Sequence, residues 1–130
     1  PDSTIYRNIA RHPEAERHDG VVALRVDGPL FFANTAFLAD TIGGLVDESK
    51  VPVSAIVLDA GAIGSVDASA ASALVELAEA QESQGKQVWL CSLRGPVRDQ
   101  LLGAGLLGVI PEQQLVARVQ DAMDVVEELA

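Results

Sequence analysis

The stretch Gly64 to Leu74, GSVDASAASAL, gathers Ser65, Ser69 and Ser72 around a single acid, Asp67, just after an apolar run that ends at Leu58-Asp59. Serines in such a setting can act as nucleophiles, accept a phosphoryl group, or cap a helix. Nucleophilic catalysis needs a base within hydrogen-bond reach of the hydroxyl. The two histidines, His12 and His18, lie in a polar N-terminal segment and would approach Ser69 only if that segment folded back. With Asp67 as the N-cap, Ser69 falls near the second helical position, beside unpaired backbone N–H groups and the positive end of the helix dipole. A phosphate would be electrostatically welcome there. Local chemistry alone favours the plainer reading, in which Asp67 caps and Ser69 decorates the first turn.

Other patterns are weaker. Gly61 and Gly64 suggest a phosphate-cradling loop, but no Gly-x-Gly-x-x-Gly and no Gly-Lys-Ser/Thr occurs, so neither a dinucleotide fingerprint nor a P-loop is supported. Asp59 at a strand end invites comparison with a phospho-accepting aspartate. The acidic pair and later lysine of that mechanism are missing: Asp27 is single and Lys86 precedes its strand. Ser92-Leu93-Arg94-Gly95-Pro96 forms the next strand-to-helix crossing, and Arg94 could meet an anion held near the Ser69 helix start. In Gly28-Pro29-Leu30-Phe31-Phe32-Ala33-Asn34 two phenylalanines adjoin. If the chain stays extended, they point to opposite faces, so at least one is a candidate contact surface unless a helix covers it.

These residues need a scaffold, and the apolar pattern supplies one. Val21 to Val26, Ala55 to Leu58 and Val88 to Cys91 read as strands, each bounded by turn or polar residues. Between them, Leu38, Ile42, Leu45 and Val46 form one helical stripe, and Ala71, Leu74, Val75 and Ala78 another. Asn34 can cap the first helix, and Gly85 stands where a left-handed residue would end the second. A short helix is expected from about Pro96 to Ala104, and a last one carries Leu115, Val119, Ala122, Val126 and Leu129. A strand candidate over Thr4 to Ile9, followed by an exposed polar loop, completes an alternating α/β chain of a single domain, residues 1–130.

Composition narrows the function. Nine basic against nineteen acidic residues give a net charge of −10, which repels polyanions and argues against nucleic-acid binding. Cys91 is the single cysteine, so no internal disulfide or cysteine-based metal site can form, and its apolar neighbours predict a buried thiol. No apolar run approaches the ~18 residues that would cross a bilayer, so the chain is expected to be soluble as an isolated fragment.

Taken together, the motifs resemble a STAS domain, and specifically the C-terminal cytoplasmic domain of SulP-family sulfate and anion transporters. GPLFFAN, Gly28 to Asn34, after VVALRVD is similar to the transporter branch, as is the opening TIYRNIARHPEAE, Thr4 to Glu16. IVLDAGAIGSVDASAASAL, Ile56 to Leu74, and LRGPVRDQLLGAGL, Leu93 to Leu106, also resemble the family. The resemblance implies a mixed β-sheet packed with about four α-helices, and residues 1–20 as an edge strand and loop leading from a transmembrane domain. It implies no catalysis and no metal or required cofactor, but a regulatory role at the cytoplasmic face of the membrane.

The partners it implies are the transmembrane domain, a regulatory protein, a second copy through the whole transporter, and GTP or GDP as ligand. Free-standing members antagonise anti-sigma factors and are phosphorylated on a serine that matches Ser69. Ala68 and Ala70 depart from the usual hydroxyl residue and glycine on either side. On this reading Ser69 is the phospho-acceptor, Asn34, Ser65, Asp67, Ser69, Ser92 and Arg94 form a ligand edge, and Phe31 and Phe32 supply the contact surface.

Overall fold

A computed structural model describes residues 9–12 and 20–129. Its five-stranded sheet has the order β1 (Ile9–Arg11), β2 (Val21–Asp27), β3 (Ala55–Ala62), β4 (Gln87–Cys91) and β5 (Leu115–Val116). β1 pairs antiparallel with β2, and every other pairing is parallel. Parallel neighbours require crossover connections, and three are helical: α1 (Phe32–Glu48), α2 (Ala68–Ser83) and α3 (Gly95–Gly103). A fourth helix, α4 (Val119–Leu129), follows β5. Among the described residues this is the mixed sheet with about four helices that the family resemblance implies.

The central strands are apolar at almost every position because both faces are covered. Val22, Leu24, Val26, Ile56, Leu58, Val88 and Leu90 share one core cluster with Leu38 and Ile42 of α1, Leu74 and Ala78 of α2 and Leu101 of α3. The alternate residues Val21, Ala23, Ala55, Val57, Trp89 and Cys91 pack with Val119, Ala122, Met123 and Val126 of α4. The two stripes read from the sequence therefore face the sheet, and Gly85 does end α2 with a φ of +82°. Cys91 is fully buried, and burial, reinforced by the charges of Asp59 and Asp121, pushes its thiol up to about 12.

Three expectations change. Leu115 does not begin the last helix; it lies in β5 beside Leu90, where two residues of edge strand are too short to show period-two alternation. The predicted N-terminal strand extends past Ile9 to Arg11, while residues 4–8 of that expectation lie outside the described region. Asn34 is not the N-cap of α1, which begins two residues earlier; as the third helical residue it reaches back, its Oδ1 accepting the Phe31 N–H at 3.0 Å.

Buried polar groups close the far end of the sheet. The amide of Gln114 donates to the Val88 carbonyl at 2.7 Å and to Glu82 Oε2 at 2.8 Å, and the same carboxylate oxygen accepts the Val88 N–H at 2.8 Å. One glutamine thus ties the end of α2, the start of β4 and the segment before β5. Gln114→Leu leaves a carbonyl and a carboxylate short of a donor, and urea denaturation should show a loss of roughly 1–3 kcal/mol. Suppressed ionisation of the Cys91 thiol gives a second test. The unfolded thiol releases its proton near 9.0 and the folded one only near 12. Stability should therefore be complete below pH ~9 and decline above it, a decline absent in Cys91→Ala measured by the same pH series.

Candidate functional site

The carboxyl ends of the parallel strands form one edge, and the crossings out of β2, β3 and β4 all open there. In an open α/β sheet this edge is where loops can converge on a ligand. A parallel bridge between Leu30 and Val66, with the Leu30 N–H bonded to the Ser65 carbonyl at 2.8 Å, ties the first two crossings side by side. The Phe31-Phe32 pair therefore runs beside the Asp67–Ser69 helix start.

Asp67 is the N-cap of α2, its Oδ1 accepting the Ala70 N–H at 2.7 Å. Ser69 is the second residue of the helix and is exposed, which is the position the sequence predicts. Ser65 is also exposed and contributes its carbonyl to the bridge. Phe31 and Phe32 are 54% and 62% exposed, so both phenylalanines form surface, rather than one on each face of a strand. The reason is local: they are the N-cap and first residue of α1, whose inward positions belong to Asn34, Thr35, Leu38 and Ile42. Asn34 is buried and committed to the cap, so it is turned away from the open edge.

The β4 crossing contributes Ser92 and Arg94. Ser92 has a φ of +62°, the one left-handed non-glycine residue among those described, and its hydroxyl donates to the Ala117 carbonyl at 2.9 Å. Gly61 lets this crossing approach β3: a Cβ there would lie 3.2 Å from Ser92 Cβ and 3.3 Å from Asp59 Oδ1. Arg94 is the exposed N-cap position of α3, with Pro96 in its first turn.

One functional-looking pair was not foreseen as a contact. His12 Nε2 lies 3.0 Å from Asp59 Oδ2, and the two side chains are 11% and 19% exposed. Asp59 Oδ1 also accepts the Gly61 N–H at 3.0 Å. The histidine does fold back, but onto β3: its N–H bonds to the Ala23 carbonyl, and its ring crosses β2 to reach Asp59. A sequence separation of 47 residues carries no local signal for such a contact. Cys91, paired in register with Asp59, holds its proton at neutral pH and so is no nucleophile there. Among the described residues no group of three side chains is placed to hold a metal ion.

A mixed sheet with a serine-bearing, Asp-capped helix at its carboxyl edge is the architecture of a STAS domain. The chain belongs to that family: the STAS domain model matches residues 12–122. It is 31% identical to "Probable sulfate transporter 4.2" of Arabidopsis thaliana over 134 residues, which cover 96% of this chain and 20% of that protein. The chain thus spans about a fifth of that relative's length. The SulP transporter STAS domain of Vibrio cholerae superposes with a TM-score of 0.66 at 20% identity, covering 86% of each chain. The unphosphorylated anti-sigma factor antagonist SpoIIAA superposes with a TM-score of 0.72 at 16% identity, covering 94% of this chain and 98% of that one. No helix among the described residues is long and apolar enough to cross a membrane.

Asp67→Ala should cost about 1 kcal/mol by removing the α2 cap, whereas Ser69→Ala should leave thermal stability within ~0.5 kcal/mol. Equal losses for the two, measured by calorimetry, would mean that Ser69 holds the helix start as much as Asp67 does.

Proposed function

We propose that this chain is the cytoplasmic regulatory and interaction domain of a SulP-type carrier for anions, sulfate foremost, with transport carried out elsewhere in the polypeptide. The observation that supports it best is the identity with a sulfate transporter across nearly the whole chain but only a fifth of the relative. The entry of the chain is consistent with it. Ile9 pairs with Val26 and Arg11 with Leu24, so β1 starts at the carboxyl end of β2. At Ile9 the chain therefore enters the sheet at the edge that carries Phe31, Phe32 and Ser69. On this reading Phe31 and Phe32 rest against the transmembrane domain, and Ser65, Asp67, Ser69, Ser92 and Arg94 form a rim that a regulatory protein or guanine nucleotide engages. Full carriers would bring a second copy of the domain nearby.

A second reading is favoured by one observation, the exposed Ser69 hydroxyl at the second position of α2. A phosphate there gains the N-terminal backbone N–H groups and places about two negative charges beside Asp67. It would serve a free-standing phospho-switch equally well.

The test is sulfate uptake by vesicles carrying the full-length protein. Phe31→Ser with Phe32→Ser should lower uptake about tenfold at unchanged membrane abundance, the loss expected when anchoring aromatics leave a contact, and Ser69→Glu should change uptake while the fold stays intact. Uptake that is the same in all three proteins removes the proposed contact edge, and a full-length protein without membrane association removes the carrier reading in favour of the soluble switch.

A further inference from the structure

Behind the phenylalanine pair, the outer surfaces of α1 and α2 border an open, shallow groove of about 290 Å³ lined by Phe32, Thr35, Ala36, Ala39, Ala73, Glu76 and Leu77. The spacing on each helix, three and four residues, gives one continuous face per helix. Alanines form the walls where larger side chains would fill the gap, and Phe32 stands 62% exposed at one end. Exposed apolar surface of this kind is where a partner can gain contact area.

Charge says what kind of partner fits. Helices α1 and α2 contain no lysine, arginine or histidine; exposed Asp40, Glu76 and Glu79 lie within a turn of the groove residues, while Asp47 and Glu48 stand at the far end of α1, where Glu48 shares a pocket with Arg11 and Lys50. Among the described residues, none of these five carboxylates is in an ion pair. The nearest basic residues in sequence, Lys50 and Lys86, follow the two helices. A second copy of this surface would oppose carboxylates with carboxylates, and an anionic bilayer would be repelled in the same way. A cationic polypeptide is attracted, and its apolar side chains can enter a groove between two helices when it is itself helical.

We propose that the α1–α2 groove binds a basic amphipathic helix of a partner polypeptide, its apolar face against Ala36, Ala39, Ala73 and Leu77 and its lysines or arginines against Glu76 and the adjacent Asp40 and Glu79. The inference does not depend on the carrier reading, since a free-standing domain would present the same groove.

The experiment is a titration of the 130-residue chain followed by backbone amide NMR, using a Leu/Lys peptide of about fourteen residues, roughly four helical turns. Two control peptides are a sequence-scrambled isomer without an amphipathic face and a counterpart with Glu replacing Lys. Saturable shifts centred on Ala36, Ala39, Ala73 and Leu77, at least about tenfold weaker for both controls, are expected. The exposed substitution Ala39→Arg should block the groove, and Glu76→Lys with Glu79→Lys should weaken binding about tenfold without loss of fold. Equal binding by the scrambled isomer would reduce the effect to bulk charge and overturn the proposal. So would shifts elsewhere, unchanged affinity in the variants, binding of phosphatidylglycerol vesicles through this groove, or self-association of the chain through it in sedimentation.

Discussion

The structure depends on keeping β3 covered on both sides. Ala55, Ile56, Val57 and Leu58 are each at most 2% exposed, and the strand has parallel neighbours on both flanks. Parallel pairing forces each connection to travel back across a face, so the crossings return helices to one side of the sheet and leave their loops at one end. Among the described residues, α4, added after the last strand, is the helix that covers the other side. The convergence of the crossings at the carboxyl edge is thus a result of how the chain buries its centre. A site there comes from the winding, and its particular chemistry comes from the residues that the loops can spare from capping.

That division explains what could be read from the sequence. β2, β3, β4 and the inward stripes of α1 and α2 are written in local apolar patterns long enough to recognise. Asp67 and Ser69 were legible for the same reason, since a cap and its first turn lie within three residues. β5 was not, because two residues carry no period and Leu115 happens to continue the spacing of the helix that follows. Nor was the exposure of both phenylalanines, which turns on whether the helix begins at Phe32 or after Asn34. A shift of two residues in that boundary converts alternating strand positions into a surface pair.

The His12–Asp59 contact belongs to a different class. It joins side chains across an intervening strand, and it becomes visible only when β1 has been placed antiparallel beside β2. Sequence shows two polar residues in unrelated surroundings; the sheet makes them neighbours. Partial burial of the pair on the α4 side of the sheet gives Asp59 a partner while Cys91 beside it remains a neutral thiol.

Among the described residues β1 is three residues long, and it is held by three register pairs and by the histidine that follows it. Mechanically, that makes it a tether with few rungs. Past Arg11 the chain is held twice more, to β2 by the His12 N–H on the Ala23 carbonyl and to β3 by the His12 ring on Asp59. A displacement of β1 therefore reaches β3 along a side chain as well as through the backbone ladder.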